Sequence, residues 1–403
     1  MSSSPRRYLG LTARELIIVL GGIVLVCTAA GAALWLISRA APLVSNAVAS
    51  VIPSGDASAD VPTREATRLP PTPSPLPTAT FVPTSTPFPT ATPTPSPGLS
   101  ITRPLPPDSL FGLSGWEARV LEVLRGEAAA QAIRDANQFN AEAAPGREYL
   151  LVRLNVKSVH PDQESHRIRG GDFRLVGARR MEYLSGGVVV PDPKLDAELF
   201  AGGEVEGWVV FEIDRGEDQL ILIWDLLDDA RSDRVYVALT DGAALPIDPQ
   251  LDQIVPTDLG RTRDEPVPVG AAAITEDWII TVLDAARGDE AWRQILAANR
   301  YNDSPAPGME YVLVRVRARY IRPDETLAHI DSSWFKIIGA ANVLHDAPAI
   351  VEPTPALEAR LFPGGEAEGW IVMQARRDEA DLLLVFDPLF DYDRLNRRYL
   401  SLP

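Results

Sequence analysis

A repeat at a fixed interval of 162 residues is the feature that most constrains the fold. The stretch LFAGGEVEGWVVF runs from Leu199 to Phe211, and LFPGGEAEGWIVM runs from Leu361 to Met373. The same interval, without a gap, aligns Trp116 with Trp278, Asn137 with Asn299, Asn140 with Asn302, Phe173 with Phe335, Gly177 with Gly339 and Asp225 with Asp387. A register kept over this length predicts one domain built twice, at residues 114–240 and 276–403. An acidic, Pro-containing connector, residues 241–275, separates the two copies.

Within each copy the apolar residues alternate with a period of two, which is typical of β-strands. The faces predicted to point inward carry Leu150, Val152, Leu154 and Val156 in the first copy and Val312, Val314, Val316 and Ala318 in the second. Further strands are predicted at EVEGWVVFEI, DQLILIWDLL and DRVYVAL. Because Gly, Pro and Asp separate the strands and helices do not alternate with them, the pattern predicts a mainly β fold of two antiparallel β-sandwiches.

One insertion in each copy has helical spacing instead. Apolar positions fall at i, i+4 and i+7 in EAAAQAIRDAN, as Ala129, Ile133 and Ala136, and again in DEAWRQILAAN, as Ala291, Ile295 and Ala298. The sequence therefore predicts one short helix between the first and second strands of each sandwich.

Together these motifs resemble a known family. An initial strand, an N-x-F/Y-N segment at Asn137 to Asn140 and Asn299 to Asn302, PGxEYxLVR and a later GGExEGWxV are similar to the bacterial immunoglobulin-like domain of unknown function family 4352. The resemblance covers both repeats. It implies an immunoglobulin-like sandwich behind a lipoprotein signal or a membrane anchor, and it implies no catalytic or ligand-binding residues.

The N-terminal region predicts a membrane anchor. Leu16 to Ile37 is a run of twenty-two residues without a charge, and as a helix it would span about 33 Å, enough for a bilayer core. The run is too long for the apolar region of a cleaved signal peptide. Arg6, Arg7 and Arg14 precede it, so residues 1–15 are predicted to be cytoplasmic and the chain after it extracytoplasmic, at the plasma membrane.

A linker, residues 38–113, follows the predicted span. Its centre, Pro70 to Gly98, consists mostly of Pro, Thr and Ser, which offers almost nothing apolar to bury and favours an extended stalk. A simple spacer and an O-glycosylated stalk both fit this composition.

Composition narrows the classes of function. The formal charge is −17, and because the first 100 residues carry six Arg and four acidic residues, the rest of the chain carries −19. Such a surface disfavours nucleic acid as a partner, since phosphate recognition needs clustered Lys and Arg. The single Cys, Cys27, lies in the predicted span, so no disulfide forms within the chain.

The repeated residues have structural and functional interpretations. We interpret Gly202, Gly203 and Gly207 as backbone positions and Trp208 and Trp370 as packing residues, with ligand stacking as the alternative. Glu204, Glu206, Glu366 and Glu368 are candidate calcium ligands but lack a DxDxDG-type loop. Arg153 and Arg315 are predicted to pair with Asp225 and Asp387.

Motifs for catalysis and metal binding are missing from the sequence. The four His, namely His160, His166, His329 and His345, form no HExxH motif, and none aligns with another at the 162-residue interval. GxSxG, P-loop and GxGxxG motifs do not occur. No catalytic, cofactor-binding or metal-binding residue is therefore assigned, and no cofactor is expected.

These observations predict a non-catalytic protein, anchored in the membrane through Leu16 to Ile37, that presents two immunoglobulin-like domains to an envelope protein or glycan. A structural spacer or an accessory subunit of an envelope complex is the alternative. An envelope hydrolase is a remote third class, supported only by the abundance of acidic residues.

Overall fold

The computed structural model describes residues 96–226, 234–389, 391 and 394–403. Within these ranges the protein is mainly β, with twenty strands, two α-helices and three short 3-10 turns. The predicted cytoplasmic segment, the membrane span and the linker up to residue 95 lie outside them. Across the described part of the chain, no helix combines the length and the apolar character needed to span a bilayer.

The first repeat, as the structure has it, contains ten strands and one helix. They are β1 Phe111–Leu113, β2 Trp116–Arg125, α1 Glu127–Ala136, β3 Arg147–Ser158, β4 His166–Arg169, β5 Phe173–Val176, β6 Glu182–Leu184, β7 Asp196–Leu199, β8 Glu204–Asp214, β9 Ile221–Trp224 and β10 Val235–Ala238.

The second repeat has the same order of elements. They are β11 Ala272–Ile274, β12 Trp278–Arg287, α2 Gly288–Ala298, β13 Met309–Tyr320, β14 Ala328–Ile330, β15 Phe335–Ile338, β16 Leu344–Asp346, β17 Ala359–Leu361, β18 Glu366–Arg376, β19 Leu383–Phe386 and β20 Arg398–Ser401.

Each repeat is built from two four-stranded antiparallel sheets and one small two-stranded sheet. The strand orders are β1-β2-β3-β8, β10-β9-β5-β6 and β4-β7 in the first repeat, and β11-β12-β13-β18, β16-β15-β19-β20 and β14-β17 in the second. The second strand of each repeat is bulged at the equivalent place, between Val120 and Glu122 and between Val282 and Asp284.

The two four-stranded sheets of a repeat enclose one apolar core. In the first repeat the core combines Leu150, Val152 and Leu154 of β3 with Leu222 and Trp224 of β9. Burying one such aliphatic or aromatic side chain completely stabilises the fold by about 1.5–3 kcal/mol. The predicted inward faces are thereby confirmed, both for β3 and for Val312 to Ala318 in β13.

The helix covers and buries one part of the opposite face of the first sheet. Ala129 and Ile133 of α1 pack on Tyr149 and Leu151 of β3, and the second repeat has the same arrangement with Ala291 and Ile295. The predicted short helices are present, with Ala129, Ile133, Ala291 and Ile295 on their buried faces. Ala136 and Ala298, which were predicted to share these faces, are exposed at the helix ends. Each helix follows the long second strand, since a three-residue strand that the periodicity did not reveal, β1 or β11, comes first.

Both repeats begin before the predicted boundaries at residues 114 and 276. Leu105 bridges Val237 in parallel, Val267 bridges Leu400 in the same way, and Ile101 is fully buried. The segments predicted as the end of the linker and the end of the connector therefore complete the sandwiches. Apolar pieces of one to three residues are too short to show a period, which is why the sequence did not reveal them.

A buried junction joins the two repeats. Phe362 of the second repeat is fully buried against the outer face of the sheet containing β5, β9 and β10, and its N–H donates to the carbonyl of Arg180 at 2.8 Å. Beside it, Nη1 of Arg360 lies 2.7 Å from Oε2 of Glu182, whose side chain is fully buried. Burial raises the pKa of Glu182, although Arg360 and Arg174 act in the opposite direction.

Candidate functional site

The repeated Gly and Trp residues have the backbone and packing roles that their positions suggested. A Cβ on Gly207 would lie 2.4 Å from the backbone nitrogen of Leu195, so only Gly fits there. Trp208 packs at the edge of the cluster under α1. Trp370 packs in the equivalent cluster, with the Arg315 guanidinium 5.9 Å from the centre of its ring.

The predicted ion pairs are wrong. Nη2 of Arg153 lies 2.7 Å from Oε2 of Glu206 on the neighbouring strand, and Arg315 likewise pairs with Glu368. Asp225 instead accepts from Nε of Arg234 at 3.0 Å. The error arises because Arg153 lies on the outer face of one sheet whereas Asp225 follows a strand of the other sheet.

The same is true in the second repeat, where Asp387 accepts hydrogen bonds from Nε and Nη2 of Arg397, at 2.8 and 2.6 Å. The glutamates considered as calcium ligands are used in cross-strand pairs. Glu204 accepts from Asn155 at 2.6 Å, and Glu366 lies 3.5 Å from Arg317. These carboxylates do not converge on a common point.

A different feature stands out on the surface, one exposed aromatic residue at the same place in each repeat. Phe139 is 83% exposed and Tyr301, its counterpart 162 residues later, is 75% exposed. Val189 and Val351, also counterparts, are each 53% exposed beside them. We call residues 137–140 with 188–190 the first aromatic loop, and residues 299–302 with 350–352 the second.

Each aromatic loop is held by a hydrogen-bond network around one half-buried asparagine. In the first loop, Nδ2 of Asn140 donates to the carbonyls of Ile133 at 2.9 Å and Val189 at 2.8 Å, and its Oδ1 accepts from the Val189 N–H at 2.8 Å. Oδ1 of Asn137 accepts from the N–H of Phe139 at 3.1 Å. The tip therefore has a fixed backbone while its aromatic ring faces solvent.

The second loop repeats this network bond for bond. Asn302 donates to the carbonyls of Ile295 at 3.2 Å and Val351 at 2.7 Å and accepts from the N–H of Val351 at 2.9 Å. Asn299 accepts from the N–H of Tyr301 at 3.1 Å. The N-x-F/Y-N motif thus ends the helix at its first asparagine and exposes one aromatic ring to solvent. The sequence showed the motif, but its exposure could not be read from one-dimensional spacing.

A cleft lies beside each helix, next to the aromatic loop. In the first repeat its volume is about 480 Å³, and Ala130, Glu148 and Arg215 are among the residues that line it. The cleft of the second repeat is smaller, about 280 Å³, because Trp292 stands where the first repeat has Ala130.

Glu148, one of three glutamates that line the first cleft, is held in an ion pair with Arg125. Burial favours the neutral form of Glu148, but hydrogen bonds from Arg125 and from the Gly216 N–H outweigh it and hold the pKa of Glu148 below its ordinary value. The Arg125 nitrogens lie 2.8 and 3.1 Å from Oε1 of Glu148. A carboxylate held ionised in this way is poorly suited to act as a general acid.

The four histidines fall in three places. His329 and His345 lie apart in the second repeat, on β14 and β16. His160 and His166 lie together in the first, with ring centres 3.6 Å apart. Neither has a His counterpart at the 162-residue interval, so comparing the repeats could not bring this pair to notice.

Comparison with known proteins places the chain in no family. No family model matches it, and no curated protein does so. Among solved structures, it is similar to the ycdA protein of Bacillus subtilis (15% identity, 32% of this chain and 37% of that chain, TM-score 0.25). It is also similar to the yjhA protein of B. subtilis (12% identity, 34% and 99%, TM-score 0.26). A third is the secreted protein MPT63 of Mycobacterium tuberculosis (13% identity, 34% and 97%, TM-score 0.25). Likeness at these TM-scores supports no conclusion about this chain.

Proposed function

We propose that this protein is a non-catalytic, membrane-anchored component of the bacterial cell envelope, and that two tandem immunoglobulin-like domains on the outer side of the plasma membrane bind an envelope partner through the aromatic loops. The single observation that carries this proposal is the duplicated exposed ring, Phe139 in one repeat and Tyr301 in the other. In this view the domains arose by duplication, and the predicted stalk holds them away from the membrane.

An exposed ring on a fixed backbone favours binding to a partner. An aromatic ring that is about four-fifths exposed contributes little to the core of its own repeat. Burying it against a partner removes its exposed apolar area from water, which favours binding. The asparagine network fixes the backbone beneath the ring, so binding loses little conformational entropy there. Aromatic residues of this kind are the usual centres of binding energy at protein interfaces.

The chemistry beside the rings favours a protein partner over a glycan. Sugar recognition needs hydrogen-bonding side chains next to the stacking ring, but the amides of Asn140 and Asn302 are fully used inside the loops. Val189 and Val351 beside the rings are exposed and apolar, and in the second loop the Arg300 guanidinium lies over the Tyr301 ring, 4.7 Å from its centre. An apolar pair suits a hydrophobic pocket on a protein.

The alternative function, a structural spacer or accessory subunit, is supported by the buried junction at Phe362 and Glu182. A rigid pair of domains is what a spacer needs. It also fixes the distance between two binding loops, which is what avidity needs. The duplicated exposed rings distinguish the two, because a spacer has no use for them.

The test uses the full chain in detergent micelles and two separate ligand sources, solubilised envelope proteins and purified envelope glycan, each immobilised. We expect saturable retention on the protein source. The double variant Phe139→Ala and Tyr301→Ala should weaken it by at least about 30-fold, which corresponds to about 2 kcal/mol, the loss typical of a single interface hot spot.

The matched control is Phe200→Ala, because Phe200 is 64% exposed but lies outside both aromatic loops. Retention should not change in this variant. Retention on glycan alone would overturn the choice of a protein partner. A lack of saturable retention on either source, or equal loss in the control, would favour the spacer.

A further inference from the structure

Three candidate metal ligands meet in the first repeat, between the end of β3 and the start of β4. The ligand atoms of His160, Asp162 and His166 all lie within 4.8 Å of one another. Nε2 of His166 lies 2.9 Å from Oδ1 of Asp162. The imidazole rings of His160 and His166 stack with an interplanar angle of 6°.

The position of His160 is fixed by its surroundings. Its ring lies against Gly115, where a Cβ would approach Nδ1 of His160 to 2.5 Å, and it meets the ring of Trp116 edge-on at 5.1 Å. Its Nε2 is buried and has no hydrogen-bond partner in the part of the chain that the structure describes. A buried nitrogen without a partner is costly, and a ligand would offset that cost.

At the equivalent place, the second repeat has a side chain with a permanent positive charge. The aspartate is kept as Asp324, but Arg322 stands where the first repeat has His160, and Ala328 stands where it has His166. Nε of Arg322 lies 2.7 Å from Oδ2 of Asp324. Gly115 is replaced by Asp277, whose Oδ1 lies 4.0 Å from Nη1 of Arg322. In the first repeat the equivalent carboxylate is surrounded by two imidazoles instead.

We propose that His160, Asp162 and His166 bind one Zn²⁺ ion, with water as the fourth ligand. Two imidazoles and one carboxylate are a donor set that zinc accepts in tetrahedral geometry. The bound ion supplies the positive charge that Arg322 supplies in the second repeat.

The stacked rings must separate for this to happen. A metal ion lies close to the plane of each imidazole that binds it, and two parallel rings have no shared in-plane position. His160 is held by Gly115 and Trp116, whereas His166 is only partly covered at the start of β4 and Asp162 is exposed. His166 therefore rotates out of the stack, and Asp162 follows it to the ion.

The test is calorimetric titration of ZnCl₂ alone into the full chain in detergent micelles. We expect one ion per chain. The variants His160→Arg and His166→Ala install the residues that the second repeat already accommodates. Each should weaken zinc binding by more than about 100-fold, because losing even an outer partner of a zinc ligand costs about 10- to 100-fold.

Controls separate ligation from damage to the fold. His329→Ala removes a surface histidine that lies 3.6 Å from Asp331 in the second repeat, and zinc affinity should not change. Thermal unfolding without zinc confirms that each variant is folded, and titration of the His166→Ala variant suffices if His160→Arg is not. Weak binding at several sites, no saturable binding, or one-site binding kept in His166→Ala would overturn the proposal.

Discussion

Glu352 shows how one residue can give a repeat its own pH response. It lies in the second aromatic loop, where the first repeat has Val190. Burial raises the pKa of the Glu352 carboxyl to about 7, despite hydrogen bonds from Ser332 and from the Val372 N–H that favour the charged form. The folded protein therefore binds a proton that the unfolded chain releases near pH 4.5.

The sign of the effect follows from this difference. Below about pH 4.5 both states are protonated and Glu352 costs nothing. As the pH rises to about 7 the folded state loses stability, and above that the loss is constant at about 3 kcal/mol. Glu352→Gln should remove this loss and stabilise the protein at pH 8 but not at pH 4. Chemical denaturation at both pH values measures it, and equal effects at the two would contradict it.

Pairing between charged residues was the least predictable feature at this scale. The sequence showed Arg153 and Asp225 as charges in apolar strands, but their partners are Glu206 and Arg234. A strand pattern tells which face a residue is on, but not which strand becomes its neighbour. Glu206, the partner of Arg153, was noted in the sequence, but only as a candidate calcium ligand.

Among the elements, the aromatic loops are the features whose rigidity the proposed function requires. Asn140→Ala removes three hydrogen bonds at the end of α1, one half-buried and two exposed. We expect a loss of about 1–3 kcal/mol in the free energy of unfolding, because the carbonyl of Ile133 and the backbone of Val189 lose their partner. Urea denaturation measures this loss.

Asn155→Ala is the matched control for Asn140→Ala. Asn155 makes one exposed hydrogen bond, to Glu204, so its loss should cost less than about 0.5 kcal/mol. If both variants lose the same stability, the network at Asn140 is not what holds the loop.

Strands and helices were largely predictable because their signals are local. Alternation placed Leu150 to Val156 on the core face, and i, i+4 spacing placed Ala129 and Ile133 on the buried face of α1. The short strands β1 and β11 were missed, since three residues show no period. Each pairs with the strand that follows it directly in the chain, β1 with β2 and β11 with β12.

At the scale of the whole molecule, the junction between repeats depends on Phe362. Phe362→Ala should lower the free energy of unfolding by about 3–5 kcal/mol, since it leaves a cavity on the outer face of the first repeat. The equivalent Phe200→Ala should change it by less than about 0.5 kcal/mol, because Phe200 is 64% exposed. Chemical denaturation of the full chain compares the two, and similar losses would contradict the assignment of the junction.

Topology is the other prediction at this scale. In the proposed orientation the three Arg before residue 16 favour a cytoplasmic N-terminus, so a reporter enzyme that is active only after export, fused after residue 403, should be active. Replacing Arg6, Arg7 and Arg14 with Glu should lower that activity. A C-terminal reporter that is active only in the cytoplasm would contradict the orientation if it were active in the unchanged chain.

The sequence by itself determined the two equivalent units, the faces of their strands, and the helix that covers each first sheet, because these follow from short-range periodicity and from a fixed register. Only the tertiary structure decided which of two identical residues in equivalent positions is buried. Leu-Phe occurs at 199–200 and again at 361–362, yet Phe200 lies in solvent and Phe362 is fully buried. The physical reason is that burial depends on what lies opposite a side chain. The first repeat lies opposite Phe362, whereas none of the described residues covers Phe200.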